Sequence, residues 1–346
     1  MIYFNNDYSE GCHPQILSLL QKSNFEQTPG YGMDSYCAEA ADHIRRLCGS
    51  DDLSVHFIVG GTQTNLIVIA SALRPHQGVL GVETAHINVH ETGAVEATGH
   101  KVLSVPTTDG KISAQQVEKV IVAHREDQAM EHTVQPKMVY ISNPTELGTI
   151  YSRDELYALR NICDQYGLYL FMDGARLGYG LTAQGNDVTL ADIAKTCDVF
   201  YIGGTKVGAM FGEAVVFSNP ALADDFRYMI KQRGAMLAKG RLLGVQFCAL
   251  LRDGLYFNIA SHANQMADKI RDTLKRLGYS LFVPGTTNQI FPVLPDALLE
   301  KLAENFSFTE QERVDATHRA VRFCTSWATT EDNVNALCAE LERLSK

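Results

Sequence analysis

Lys206 sits in YIGGTKVGAMF, among glycines, a threonine and apolar residues. Burying an ammonium there costs desolvation energy and lowers the lysine pKa, which frees the amine to attack an aldehyde. A side chain that caps carbonyls or snorkels to water would also account for an ordinary lysine at this position. Asp173 ends the apolar run LYLFMD, and Arg176 follows three residues on. A carboxylate at the edge of a buried strand needs a cationic or hydrogen-bonding partner. Two readings meet that need: an internal pair with Arg176, or an aspartate facing a cationic ring nitrogen while Arg176 is free to grip a carboxylate bidentately. VGGTQTNL (59–66) places two glycines after a strand, with Thr62, Gln63 and Thr64 opening a helix. Free amides at a helix N-terminus beside Gly60 and Gly61 make a cup for phosphate, although the pattern also serves as a plain strand-to-helix turn. It is neither GxGxxG nor a P-loop, which argues against a dinucleotide or ATP.

The three stretches explain one another if one ligand carries a phosphate, a basic ring nitrogen and an aldehyde. Pyridoxal 5′-phosphate is that ligand, and the chain order of cup, aspartate and lysine agrees with it. VETAHINVHETGAVEATGH (82–100) adds His86 and His90 at i, i+4 spacing. HExxH is absent and no third ligand is evident, so no metal site is expected. His86, just after a strand, is placed to stack on a flat ring or shuttle protons, and His90 reads as structural. Arg322 lies inside the apolar strand AVRF and needs an acidic partner, from the protein or from a substrate. Arg319 reads as solvated.

These residues must be positioned by short apolar runs, VHFIV, GVLGV, KVLSV, KMVYIS, LYLFMD, DVFYIG and EAVVF, each read as a buried strand. Helical patterns such as QTNLIVIASAL and RDELYALRNICDQYG alternate with them. That alternation predicts an α/β domain around a mainly parallel seven-stranded sheet. A long helical region follows over 221–277, and then SLFV, QIFPVL and AVRFCTSW as strands with PDALLEKLAENF and EDNVNALCAELERL as helices. The expected division is an N-terminal arm (1–14), a large domain (15–240) and a smaller α+β domain (241–346).

With 346 residues, 45% hydrophobic and 20% charged, the chain can bury at least one large core. A net charge of −10 leaves no basic stripe, so no nucleic-acid partner is expected. Eight cysteines without a C-x-x-C pair read as reduced core residues of a cytoplasmic protein. MIYFNNDYSEGCHP has no basic stretch before an apolar run, so a secretory signal is not expected, and no window is apolar enough to span a membrane.

In this order, GGTQTNL, TAHINVHETGA, MDGARLGYG, GGTKVGAMFGEA and AVRF resemble the low-specificity L-threonine aldolases, fold-type I pyridoxal-phosphate enzymes of the β-eliminating lyase-like group, along nearly the whole chain. The resemblance implies a carbon–carbon lyase that splits L-threonine or L-allo-threonine into glycine and acetaldehyde. It implies Lys206 as the Schiff-base lysine, Asp173 as pyridinium partner and His86 as the ring-stacking histidine. Gly61, Thr62 and Thr205 match phosphate contacts, while Arg176 and Arg322 match the arginines that hold the substrate carboxylate. Asn6, in NNDYSEG, stands where a serine helps bind that carboxylate. Tyr31, in GYGMDSY, matches a loop that lies near a neighbouring subunit's cofactor. Where many members carry a histidine that contacts the substrate hydroxyl, this chain has Glu146, which leaves His86, Glu146 or a water as the base. Arg233, Lys239 and Arg241 stand as phosphate ligands for a partner subunit. Sites shared between subunits imply a homo-oligomer, a dimer or a tetramer. The rivals are β-elimination or transamination on the same scaffold, and a non-catalytic ligand-binding protein.

Overall fold

The computed structural model describes residues 1–346. All seven expected strands form, at Ser54–Ile58, Gln77–Val82, Val102–Val105, Gln135–Ser142, Tyr169–Asp173, Val199–Gly203 and Glu213–Phe217. Every residue of Gln77–Val82, Val199–Gly203 and Glu213–Phe217 is buried, as continuous apolar runs covered on both faces require. From one edge, the strands starting at residues 54, 213, 199, 169, 135, 77 and 102 lie side by side. Four neighbouring pairs are parallel. Glu213–Phe217 runs antiparallel to both of its neighbours, with Glu213 in register with Ile58 on one side and Gly203 on the other.

That reversal has a consequence for function. The parallel strands release their chains at one edge of the sheet, where open α/β folds bind ligands. The loops after Ile58, Val82, Ser142, Asp173 and Gly203 carry Gly61, His86, Glu146, Arg176 and Lys206 to that edge. Because Glu213 begins a reversed strand, it arrives there as well.

The helices carry their own start and stop signals. Ser113 with Gln116, Ser152 with Glu155 and Thr189 with Asp192 form capping boxes. Gly167 closes Arg153–Tyr166 in the left-handed conformation at φ 69°.

The apolar interior divides in two. A cluster of 63 buried residues runs from Cys12 to Ala263, and a cluster of 16 holds Phe4 with Met266 through Leu341. Helix Leu255–Arg276 serves both, with Tyr256, Ile259, Ala260 and Ala263 in the first and Met266, Ala267, Ile270 and Leu274 in the second. The core therefore parts inside this helix, beyond the division expected at 240, and Phe247, Cys248 and Leu250 pack with the large sheet. The N-terminal arm joins the small unit: Ile2–Tyr3 pairs in parallel with Phe306–Ser307, and the Phe4 ring lies 6.4 Å from both Phe306 and Phe323.

In the small unit Gln289–Ile290, Val293–Pro295, Thr309–Arg313 and His318–Cys324 are strands. SLFV is not one: Leu281 makes a single bridge to Pro292. The strand TEQER at Thr309–Arg313 escapes sequence patterning because it is an exposed, charged edge without an apolar alternation.

Gly174 links the two central strands of the large sheet, its carbonyl accepting the Gly203 amide at 2.9 Å. A Cβ there would lie 1.8 Å from the Tyr201 carbonyl oxygen, a contact only backbone movement relieves. Gly174→Ala is expected to destabilise the protein by about 3 kcal/mol, read as a lowered urea midpoint.

Candidate active site

At the carboxyl edge of the sheet the chain encloses a cavity of about 370 Å³. Gly61, Thr62, His86, Glu146, Asp173, Arg176, Thr205 and Lys206 all line it, so residues from five separate stretches of sequence meet in one place. A roomier groove of about 580 Å³ near Asp109 and Lys111 gathers no such set, and its lysine is already paired with Glu155 at 2.5 Å.

Helix Gly61–Ala72 starts from an extended Gly60 (φ −162°, ψ 162°) with no side chain capping it. Its leading amides thus remain available, in the arrangement that binds anions. Thr64, in the first turn of the helix, donates its hydroxyl to the Gly60 carbonyl at 3.1 Å. Thr205 lines the cavity with both of its donors engaged: its amide donates to Gly212 O at 3.2 Å and its hydroxyl to Glu213 Oε1 at 3.0 Å.

Asp173 is 5% exposed. Its Oδ2 accepts from Tyr140 Oη at 2.6 Å and from Asn65 Nδ2 at 3.1 Å, and its Oδ1 accepts the Ala175 amide at 2.9 Å. Burial opposes its ionisation, but positive charge on the His86 ring when it is protonated, the Tyr140 and Tyr201 hydroxyls and the Ala175 amide outweigh burial and hold the carboxyl below the usual aspartate range. Arg176 is not its partner. The Arg176 fork closes on Asp7 of the N-terminal arm, Nε to Oδ2 at 2.7 Å and Nη2 to Oδ1 at 2.9 Å, and Asn288 donates to Asp7 as well at 2.9 Å. Only Nη1 of Arg176 is left without a partner in the chain.

His86 Nδ1 lies 2.8 Å from Oε1 of the buried Glu91, which also accepts from Asn65 Nδ2 at 2.8 Å. A carboxylate acceptor assigns the proton to Nδ1 and leaves Nε2 as the free nitrogen. Asn65 thereby ties the His86–Glu91 pair to Asp173 through one amide group. Glu146 Oε1 accepts the His86 amide at 3.0 Å and the Ser142 hydroxyl at 2.6 Å. Desolvation, with Asp173 adding repulsion, raises the Glu146 pKa above the ordinary glutamate value. Its Oε2 has no partner. Lys206 makes no ion pair. Burial and the nearby Arg176 depress its pKa, while Asp7, Asp173 and Glu213 pull the other way.

The remaining expected residues lie outside the cavity lining. Arg322 donates to the Asn5 carbonyl at 2.9 Å and approaches Gln289 Oε1 at 3.4 Å. It has no acidic partner in the chain, and its buried Nε has none at all. Asn6 Oδ1 caps its own turn, accepting the Tyr8 amide and Ser9 hydroxyl at 3.0 Å each, so Tyr8 and not Asn6 reaches the cavity wall. Arg319, read as solvated, instead pairs with Asp296 at 2.7 Å and Glu310 at 3.0 Å. Tyr31, held at φ 61°, belongs to a separate concavity with Met33 and Arg227. Arg233 and Lys239 are exposed and unpaired, whereas Arg241 is tied to Ser23 and the Glu26 carbonyl. His90 is exposed, its ring 5.5 Å from that of His86, and no group of His, Cys, Asp and Glu could hold a metal ion.

Sequence reasoning missed Asp7, Asn65, Glu91 and Glu213. Asn65 and Glu91 lie inside the quoted motifs QTNL and HETGA, where a buried acid or amide would have been the signal. Asp7 and Glu213 lie inside NNDYSEG and GGTKVGAMFGEA, but only the pairing of Asp7 with Arg176 and the reversed strand that Glu213 opens bring them to the site.

A family model for the beta-eliminating lyases matches residues 21–297. The chain belongs to the beta-eliminating lyase family. Within this family a low specificity L-threonine aldolase from Pseudomonas sp. (strain NCIMB 10558) is 32% identical over 341 residues, spanning 98% of this chain and 96% of its own. A solved threonine aldolase from Leishmania major is 46% identical and superposes with a TM-score of 0.97 over the full length of both chains. A Thermus thermophilus aspartate aminotransferase, 16% identical, shares the fold at a TM-score of 0.74 over 99% of this chain and 91% of its own. The family member described here thus has the fold-type I architecture, with a large sheet domain and a smaller C-terminal unit.

The Asp7–Arg176 pair is the buried salt bridge on which this arrangement rests. Burial opposes Asp7 ionisation, yet Arg176, Lys206 and the Asn288 amide hold its pKa below the usual value. Such a depressed group stabilises the fold fully above its unfolded pKa and loses that contribution as pH falls through its folded value. Asp7→Asn strands the Arg176 charge and is expected to cost about 3–5 kcal/mol at pH 7 in urea unfolding. The deficit relative to wild type shrinks below about pH 4, as the wild-type Asp7 takes up its proton.

Proposed function

We propose that this chain is an aldehyde-lyase that cleaves L-threonine, L-allo-threonine and related β-hydroxy-α-amino acids into glycine and an aldehyde by retro-aldol reaction, with pyridoxal 5′-phosphate as its cofactor. The observation that carries the reading is the meeting of Lys206, ionised Asp173 and an uncapped, glycine-lined helix start in one cavity.

The donor set fits that cofactor. No side chain stands within 4 Å of the space a Gly60 Cβ would occupy, and no capping side chain competes for the helix amides. Gly61, Thr62 and those amides would hold the phosphate, Asp173 would face the ring nitrogen, and Lys206 would make the covalent link. When bound, the cofactor supplies an aldehyde for that link and a pyridinium that draws electrons from the amino acid's α-carbon.

The chain's own residues do the rest. Asp173, kept anionic by Tyr140, Asn65 and the Ala175 amide, holds a proton on a ring nitrogen that faces it. Arg176 Nη1, the free arm of a guanidinium that lines the cavity, orients the substrate carboxylate and so decides which bond to the α-carbon is aligned to break; Arg322, outside the lining but without a carboxylate of its own, is the second arginine of this reading. His86 Nε2 and Glu146 Oε2 are the unpartnered acceptors available to the β-hydroxyl proton. Its removal lets the aldehyde carbonyl form while the Cα–Cβ electron pair passes to Cα, and a proton returned to Cα gives glycine. Glu146 is suited to this because enclosure raises its affinity for a proton.

A homo-oligomer with sites completed by a partner copy is part of the reading. The exposure of Phe25 (93%), Met33 (65%) and Tyr228 (75%), with Tyr31 close by in sequence, supports it. A cytoplasmic location is supported by eight unpaired cysteines, seven of them buried. No helix is long and apolar enough to cross a membrane.

Lys206→Ala is expected to abolish turnover and remove the visible absorbance of the bound cofactor; a variant that keeps both refutes the assignment. Glu146→Gln retains an acceptor for the His86 amide but cannot take a proton. It is expected to lower kcat for L-threonine by about 10²-fold while leaving cofactor absorbance intact. An unchanged kcat removes Glu146 from the proton transfer.

A further inference from the structure

Glu91 is a buried carboxylate with no part in the reaction proposed above, and it is the one acid bonded to the His86 ring. A sharp turn brings it there. His86 opens the short helix His86–Val89, and Thr92 and Gly93 then take up left-handed backbone in succession, at φ 54° and 72°. The Ala94 amide closes the turn on the Glu91 carbonyl at 2.9 Å. A β-branched residue is strained in that region, and the turn it permits returns Glu91 to the ring of His86, five residues back.

The hydrogens around Glu91 Oε1 fix the state of that ring. Asn65 is buried on helix Gly61–Ala72, and its two Nδ2 hydrogens serve two acceptors, Glu91 Oε1 at 2.8 Å and Asp173 Oδ2 at 3.1 Å. Oε1 therefore accepts, and His86 Nδ1, 2.8 Å from it, donates. No other group competes for the ring. Glu146 takes the His86 backbone amide and Ser142, Asp173 is occupied by Tyr140, Asn65 and the Ala175 amide, and the His90 ring stands 5.5 Å away. His86 lines the cavity, and with Nδ1 committed, Nε2 is the nitrogen free to exchange a proton with what occupies it.

Glu91 Oε2 is buried and has no partner. A neutral His86 thus leaves beside it a carboxylate short of both a donor and a counter-charge, which is costly in an enclosed site. A proton gained at Nε2 turns the same 2.8 Å contact into an ion pair. The pair as a whole is therefore stabilised by proton uptake at the nitrogen that remains open.

We propose that Glu91, anchored by Asn65, is the positioning residue that makes His86 a proton acceptor toward the substrate. It locks the ring with its proton on Nδ1, so that Nε2 meets the β-hydroxyl bare, and it balances the imidazolium that results. The step closes without a co-reactant. The hydroxyl O–H bond breaks, its electron pair stays on oxygen to complete the aldehyde carbonyl as the Cα–Cβ pair passes to Cα, and the proton forms an N–H bond at Nε2. Nδ1 keeps its own proton and Glu91 takes none. The proposal rests on the aldolase reading.

The test reads the ring first and the reaction second. Full-length protein carrying isotope-labelled histidine and loaded with pyridoxal 5′-phosphate is recorded by proton–nitrogen NMR at about pH 8, where an ordinary imidazole is neutral, with His86→Phe identifying the His86 signals. Nδ1 is expected to be protonated and Nε2 bare; the reverse overturns the proposal. Glu91→Leu, similar in volume and unable to accept, is expected to move the proton to Nε2. It is also expected to lower kcat for L-threonine about 10²-fold while KM and the cofactor absorbance hold. A ring that does not switch overturns the proposal, as does a switched ring with unchanged kcat. Should Glu91→Leu fail to fold, Glu91→Gln keeps an oxygen but loses the charge: the Nδ1 proton signal is expected to move upfield as its hydrogen bond weakens, and an unmoved signal overturns the proposal. The two claims fail separately. Wild type that has the expected ring state yet forms no glycine from L-threonine contradicts the aldolase reading and this proposal with it; wild type that forms glycine with Nε2 protonated contradicts the role of Glu91 alone.

Discussion

Ionisable groups gathered in a buried cavity destabilise a fold unless fixed donors and acceptors answer each of them, and that constraint organises the whole carboxyl edge of this sheet. Asn65 is its smallest expression. One side-chain amide donates to Asp173 and to Glu91, so the acceptor of His86 and the anion expected at the cofactor ring share a single anchor. Around it, Tyr140 and the Ala175 amide complete Asp173, and Ser142 with the His86 amide hold Glu146. The N-terminal arm supplies Asp7 to neutralise Arg176, which ties the small unit to the site. Electrostatic order of this kind is what allows an amine, several carboxylates and an imidazole to coexist without collapsing into one set of mutual ion pairs.

The sheet makes this possible by geometry. Parallel strands deliver their following loops to one edge, so residues distant in sequence converge without long-range searching. The reversed strand Glu213–Phe217 adds a carboxylate from the opposite chain direction. Lys206 therefore stands between two kinds of control: burial and Arg176 favour the free amine, and the surrounding acids favour the ammonium. A lysine balanced in this way is able to act as nucleophile and leaving group in turn.

Much of this was legible from residue order. The seven strands announced themselves as apolar runs, and Gly60, Asp173 and Lys206 at their ends pointed to one ligand because three weak signals had to be satisfied together. What escaped was pairing that only folding creates. Arg176 follows Asp173 by three residues, yet its partner is Asp7, because the turn after Asp173 directs the guanidinium toward the arm. Arg322 shows no acidic partner although an apolar strand seemed to demand one, which leaves its charge for a ligand. The polar edge Thr309–Arg313 carries no periodicity to read, and the core parts within helix Leu255–Arg276 because one continuous apolar stripe serves both units.

What sets this cavity apart is the proposed cleavage of the Cα–Cβ bond of a β-hydroxy amino acid. The most direct measurement is a product balance for purified, cofactor-loaded protein acting on L-threonine. Glycine and acetaldehyde are expected in equal amounts, without ammonia. Ammonia with 2-oxobutyrate in place of glycine would contradict it, because those products require loss of the β-hydroxyl with the Cα–Cβ bond left intact.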